Sequence, residues 1–377
     1  MNWDIPLFKS YWEEDDIESV VSVIRRGTYW AIGPEIEELE RKIANYVGTK
    51  YGLTFNSGTS ALHADLIAHN ISYGEVIVPS FSFISTANSV VLASAKPVFA
   101  EIEENNFGLD INDVLEKINN KTKAIIAVHY SGMPCKEIKA LQDIASDHKL
   151  FLIEDAAESL GSKIHHKKVG AFGNSSMFSF CQNKIITAGE GGIILTNEKK
   201  LFEKLKLLRS HGRLEKKADY FSSSQDMDYI EVGYNYRMSS LSAAILLSQF
   251  NKIDKIINMR REKAEYYNKR LSDIEGIKIT LEKKDQFFVY QMYTIQLEDN
   301  KIRDKLQNHL TKSGIMTKIY FEPIHLKTFY KKNYSYKEGD LPITENISKK
   351  VLTLPLYPSI KKSEIDYIVT EIKNFLG

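Results

Sequence analysis

A chain of 377 residues that is 43% hydrophobic is long enough to bury a large core, as two domains or as one domain with an appendage. Its 50 Lys+Arg against 49 Asp+Glu leave a formal charge of +1, which gives no support to a broad electrostatic surface for nucleic acid or a membrane. Two distant cysteines, Cys135 and Cys181, argue against a disulfide framework and a cysteine-rich zinc site. The opening MNWDIPLFKSYWEEDD has no basic segment followed by an apolar run, so no signal peptide is expected. No apolar stretch approaches the ~20 residues that span a bilayer. The expectation is a soluble cytoplasmic protein.

From about residue 35 to 250, short β-type runs alternate with helical stretches. Strands are predicted at Glu75–Pro79, Pro97–Glu101, Ala124–Tyr130, Leu150–Glu154, Met177–Phe180 and Gly192–Thr196. Helices are predicted at Thr59–His69, Ser85–Ala93, Asn112–Ile118 and Glu137–His148. This alternation, with several strands apolar throughout, predicts an α/β domain whose mainly parallel sheet is covered by helices. A helix at Arg260–Leu271, a strand-like stretch at Phe287–Gln296 and helices at Arg303–Ser313 and Lys362–Leu376 predict a small C-terminal α+β domain. No Pro/Gly-rich linker separates the two, so residues 1–255 and 256–377 should form closely packed lobes.

Four segments carry candidate chemistry. Phe55-Asn-Ser-Gly-Thr-Ser-Ala-Leu62 opens a helix after a short strand, and Ser57, Gly58 and Thr59 offer hydroxyls and backbone N–H groups suited to a phosphate. An ordinary Ser/Thr cap explains the same residues. Pro79–Asn88 follows a strand and includes Phe83, which is either a face for an aromatic ligand or simply core. In Phe151-Leu-Ile-Glu-Asp-Ala-Ala-Glu-Ser-Leu-Gly161 an apolar strand ends on Asp155, where ligands of parallel sheets sit. A carboxylate there can hold a ring nitrogen protonated, or it can be a helix cap. Lys184 lies between two β-type runs and precedes Thr187-Ala-Gly-Glu-Gly-Gly192, whose glycines permit tight turns. Such a lysine can form an imine with an aldehyde cofactor; a lone lysine is more often a solvated charge.

Together these segments resemble the DegT/StrS-type sugar aminotransferases, a branch of the aspartate-aminotransferase-like fold of pyridoxal-phosphate enzymes. The resemblance also includes Gly27–Pro34, Arg209-Ser-His-Gly-Arg213, Gly233-Tyr-Asn-Tyr-Arg-Met238, Pro323-Ile-His325 and Leu352–Pro358, all in order. It implies pyridoxal 5'-phosphate as cofactor, Lys184 as the lysine that carries it, and Asp155 as the partner of its ring nitrogen. It places Ser57, Gly58, Thr59 and Ser179 at the phosphate, Phe83 over the ring, and Glu158 near the ring at a position that varies among relatives. Asn235 resembles an asparagine that reaches the neighbouring subunit's site, which implies a homodimer with shared sites. Trp30, Arg237 and Tyr320 are candidates for the sugar pocket. His325 is a candidate for the substrate's phosphates, or else a core or surface histidine.

The implied reaction passes an amino group from glutamate to a nucleotide-linked keto sugar, a 4-keto-6-deoxy sugar being favoured. Lysine rather than histidine at 184 favours transamination over the dehydration that some relatives perform. Amination at carbon 3 and a non-catalytic binding or regulatory protein stay open, although intact Lys184 and Asp155 argue against the latter. A dinucleotide-binding dehydrogenase fails, because Asn56–Ala61 has one glycine where GxGxxG wants three. No metal is expected, since His165-His166 beside Lys167-Lys168 matches no HExxH pattern.

Overall fold

The computed structural model describes residues 3–214 and 227–377. After α1 (Glu14–Arg26), Gly33 and Pro34 start α2 (Pro34–Val47) as N-cap and first helical residue. Ile36, Leu39, Ile43, Ala44 and Val47 form its buried face at helical spacing. The chain then lays down β1 (Tyr51–Phe55), α3 (Gly58–Ala68), β2 (Glu75–Pro79), α4 (Ser85–Leu92), β3 (Lys96–Ala100), α5 (Ile111–Lys117), β4 (Thr122–Val128), α6 (Ile138–Asp147) and β5 (Phe151–Asp155). A small ribbon, β6 (Lys163–Ile164) and β7 (Lys167–Lys168), leads to β8 (Ser175–Ser179), β9 (Gly192–Thr196) and α7 (Lys199–Arg209).

The main sheet has seven strands in the order β1-β9-β8-β5-β4-β2-β3. The pairs from β3 through β8 are all parallel, whereas β9 runs antiparallel to both β8 and β1. Strands β2, β4 and β9 are buried nearly throughout, because helices cover both faces of the sheet. Six strands, β1 among them, therefore point the same way and end on one rim, where their following loops can converge.

Helices α8 (Ser240–Phe250) and α9 (Ile253–Leu271) lead out of this domain. Along α9, Ile256 and Ile257 join the large-domain core, while Ala264, Tyr267 and Leu271 join the C-terminal core. A split at 255/256 thus falls inside one helix. The C-terminal region contains β10 (Lys278–Ile279), β11 (Gln286–Phe287), β12 (Tyr293–Gln296), α10 (Asn300–Lys312), α11 (Thr328–Tyr334), α12 (Pro342–Lys350), β13 (Val351–Leu354) and α13 (Lys362–Leu376). Its sheet has the order β10-β12-β13 and is antiparallel.

Three features depart from the sequence reading. The strand-like stretch Phe287–Gln296 is broken between β11 and β12, where Tyr290 takes φ 49 and the chain turns to bury Phe288, Val289 and Met292. The N-terminal segment, grouped by sequence order with the large domain, pairs with the other end of the chain. Asp4 and Ile5 N–H groups donate to Gly314 O at 3.1 Å each, and Ile5 lies in the C-terminal core. Conversely, Ile324, Tyr330 and Leu341 pack into the large-domain core. No helix among the described residues is long and apolar enough to cross a membrane.

Candidate active site

The parallel rim gathers five loops. They follow β1 (Asn56–Ser57), β2 (Ser80–Ile84), β4 (His129–Ser131), β5 (Ala156–Ser159) and β8 (Phe180–Gly191). Register brings their starts together: Val128 and Met177 both lie opposite Asp155, while Phe55 and Ser179 both lie opposite Gly192.

Neighbouring residues of a strand point to opposite faces, and this separates the two carboxylates that end β5. Glu154 turns away from the rim and is structural. It accepts the Gly170, Phe172 and Gly173 N–H groups at 2.8, 2.6 and 2.7 Å, and His129 Nε2 lies 3.0 Å away. Asp155 is buried, with Oδ2 accepting Thr86 Oγ1–H at 2.7 Å and Oδ1 accepting Ala157 N–H at 3.3 Å. Because Thr86 spends its proton on Asp155, Ser82 must donate in the 2.8 Å contact between Ser82 Oγ and Thr86 Oγ1. Burial raises the Asp155 carboxyl above its ordinary value; the Thr86 and Ala157 hydrogen bonds and the Lys184 charge oppose this, and Glu158 adds to it.

Lys184 sits in the β8–β9 loop, which closes on itself through Phe180 N–H to Gly191 O at 2.9 Å and Ala188 N–H to Phe180 O at 3.1 Å. Thr187 braces the turn by donating to Phe180 O at 3.0 Å and accepting Gly189 N–H at 2.9 Å, with Gly189 at φ 80. The ammonium lies 3.2 Å from Glu158 Oε1, and both side chains are largely buried. Glu158 Oε2 accepts Ser131 N–H at 2.8 Å. Glu158 therefore contacts the lysine directly.

At the start of α3, Ser57 is the N-cap and accepts Ser60 N–H at 3.1 Å. Its hydroxyl is thus a cap, and the N–H groups of Gly58 and Thr59 in the helix's first turn are the ones suited to an anion. A Cβ on Gly58 would lie 3.1 Å from Ser179 Cβ and 3.3 Å from its Oγ, so the missing side chain lets the helix start seat against the end of β8. Gly192 is equally constrained, since a Cβ there would fall 2.6 Å from Ser57 O. The donor set fits a phosphorylated, aromatic aldehyde. It combines a helix start with an adjacent hydroxyl, a nearly buried primary amine, and a buried carboxylate whose ionisation needs a positive neighbour.

The remaining sequence candidates divide. Tyr320 lies near Glu158 and Cys181: burial first, then these two neighbours, pushes its hydroxyl up to about 12. Phe83 is exposed on the β2 loop, its ring 6.3 Å from Phe321. Trp30 sits on the α1–α2 loop, where its indole N–H donates to Val23 O at 3.1 Å and its carbonyl accepts Ser240 N–H at 2.8 Å. Asn235 is exposed beside the helix start of its own chain, its carbonyl 3.4 Å from Asn56 Nδ2, and Arg237 is half-buried two residues on. Of the alternatives for His325, the core one fits its packing. It is fully buried, 2.7 Å from Ser80 Oγ and 3.1 Å from Glu345 Oε1, so both ring nitrogens are engaged within the protein. Ser82, Thr86 and Ser131 were missed from sequence; small hydroxyl residues one helical turn apart after a strand are the signal for the first two.

Fold and site together define an enzyme of the sugar-aminotransferase class. The chain belongs to the DegT/DnrJ/EryC1/StrS aminotransferase family, whose sequence pattern matches residues 10–373. It is 36% identical over 344 residues to GDP-perosamine synthase of Escherichia coli O157:H7, covering 91% of this chain and 90% of that protein. GDP-perosamine synthase of Vibrio cholerae is 34% identical over 376 residues, 99% of each chain. Among solved structures, Helicobacter pylori PseC, an aminotransferase involved in the biosynthesis of pseudoaminic acid, superposes with a TM-score of 0.91 at 28% identity, covering 99% of each chain. The enzymes of this family depend on pyridoxal phosphate, which is the cofactor of this chain.

Proposed function

We propose that the protein transfers the amino group of glutamate to a nucleotide-linked 4-keto-6-deoxy sugar, with Lys184 as the cofactor-bearing base. The convergence of Lys184 and Asp155 on one rim carries this reading, and similarity to GDP-perosamine synthases favours the substrate class. Bound pyridoxal phosphate supplies the electron sink for the carbon that gains or loses the amino group. Gly58, Thr59 and Ser179 would hold its phosphate, Asp155 would keep its ring nitrogen protonated, and Phe83 would offer a face to its ring. Lys184 would serve as the base that moves a proton between the substrate carbon and the cofactor carbon. Glu158, 3.2 Å away, orients the amine for that transfer. Tyr320, Trp30 and Arg237 border the sugar side. The test is product analysis with a panel of nucleotide-linked 3-keto and 4-keto sugars and labelled glutamate. Label at carbon 4 supports the proposal; label only at carbon 3, or in no sugar, overturns it.

The same reading includes a cytoplasmic homodimer in which Asn235 completes the neighbour's phosphate site. Exposure of Asn235 beside Asn56, at the edge of the helix start, supports it. Mixing inactive Lys184→Ala chains with Asn235→Ala chains under subunit exchange, at a cofactor concentration that leaves the Asn235→Ala sites largely empty, places both lesions in one site of the mixed dimer and neither in the other. Recovery of one wild-type site per mixed dimer is expected. Confirmed exchange without recovery assigns Asn235 to its own chain's site and ends the sharing proposal. Losing one hydrogen bond to a charged acceptor, about 1.5–3 kcal/mol, should weaken cofactor binding in Asn235→Ala by about tenfold or more.

A further inference from the structure

The two peptide carbonyls that precede Lys184 are both held from outside the large sheet. Ser10 Oγ–H donates to Gln182 O at 3.1 Å, and Gln291 Nε2–H donates to Asn183 O. A carbonyl only accepts, so the amide nitrogen of Gln291 must face Asn183. That orientation leaves Gln291 Oε1 buried without a hydrogen-bond partner, in a side chain that is otherwise enclosed. The residue is aimed by what the lysine loop requires, not by its own polar satisfaction.

Its neighbour grips the other half of the pair. Met292 O accepts Ser131 Oγ–H at 3.1 Å, Met292 N–H donates to Ser131 O at 3.4 Å, and Ser131 N–H in turn holds Glu158 at 2.8 Å. Two consecutive residues thus reach Lys184 through Asn183 and Glu158 through Ser131. Their backbone is itself anchored. Buried Arg260 donates from Nη1 to Tyr290 O, Gln291 O and Leu356 O at 3.3, 3.3 and 3.2 Å. Gly132 packs so closely that a Cβ there would lie 2.7 Å from Gln291 N. A small cavity of about 20 Å³, lined in part by Asn183, Gln291, Met292 and Tyr320, lies at this junction.

We propose that Gln291 is a positioning residue for Lys184. Its amide fixes the peptide from which the lysine departs, and so fixes the direction of the amine relative to Glu158 and to the reacting carbon. The assignment rests on Lys184 being the cofactor-bearing lysine. The experiment uses the full chain freed of cofactor and then given pyridoxal phosphate. Attachment at Lys184, trapped by borohydride reduction, is followed by mass spectrometry over time and pH, beside kcat, KM and the melting temperature. In Gln291→Met, attachment slows by about tenfold, the worth of one ordinary hydrogen bond, and kcat falls similarly while KM for glutamate and the melting temperature hold. In Gln291→Glu the isosteric carboxyl donates only when protonated, so its attachment rate relative to wild type recovers as pH falls. A folded Gln291→Met variant within twofold of wild type in both rates overturns the proposal. Should that variant fail to fold, a pH-independent ratio for Gln291→Glu overturns it instead. No attachment in the wild type sinks the reading of Lys184 itself, a result distinct from either.

Discussion

Replacing Lys184 by alanine is expected to lower transamination by about 10²–10⁴-fold or more, the range for removing a positioned acid–base group, and to abolish borohydride-reducible attachment of the cofactor. The same change strips a largely buried carboxylate of its cation, because Glu158 keeps only the Ser131 N–H. A drop of about 1–3 kcal/mol in stability should therefore accompany the loss of activity. Lys184→Arg separates the two effects: guanidinium keeps a charge for Glu158 but cannot serve as the nucleophile or shuttle a proton. Chemical denaturation should rank the arginine variant near wild type and the alanine variant below it, with both inactive. A Lys184→Ala enzyme with more than a tenth of wild-type activity would remove Lys184 from the chemistry.

Asp155→Asn should cost about 10²–10³-fold in kcat, comparable to losing one preorganised electrostatic contact, because an amide cannot hold a ring nitrogen protonated. Its effect on the cofactor-free protein should have the opposite sign. Burial holds the folded-state carboxyl above its ordinary value of 3.8. Above that value the unfolded chain carries an ionised aspartate, while the folded chain must either keep the proton or bury a charge. The resulting stability penalty is absent at low pH, grows as pH rises past the unfolded value, and levels off above the folded one. Cofactor-free Asp155→Asn should thus melt higher than wild type at neutral pH, with the gap closing toward pH ~4. Saturation with pyridoxal phosphate should reverse the order, since only the carboxylate gains a cationic partner. A variant less stable than wild type at neutral pH without cofactor would show that Asp155 serves chiefly as a structural acceptor for Thr86.

The sequence made the candidate site's principal residues visible because each sits where a strand ends and a helix or glycine turn begins. Apolar runs marked β5 and β8, and the residues just after them had to lie on the rim. The sense of β9 was invisible, since an apolar stretch such as Gly192–Thr196 reads alike in either direction. The supporting residues were hidden for another reason. Thr86 reaches Asp155 from 69 residues away and Gln291 reaches Asn183 from 108, separations at which no local pattern exists. Ser57 shows the reverse: its local signal as a cap was sound, and the local role is the one the side chain fills. His325 was drawn toward the substrate by its motif, whereas the packing of Ser80 and Glu345 on either side decided its place.

The pairing of Ile5 with Ile315 has a consequence for how the molecule is made. On the ribosome the first residues emerge with no mate, and the segment that will receive them is synthesised near the end. Leu7 waits longer still, for the Leu356 N–H that donates to its carbonyl at 3.2 Å. Domains that fold vectorially use contacts already translated, and the large parallel sheet can do so. The C-terminal lobe cannot, because its core is incomplete until both termini meet. Gln291, Arg260 and Leu356 belong to that late-forming junction, so a nascent chain with a finished sheet still lacks the brace beneath Lys184.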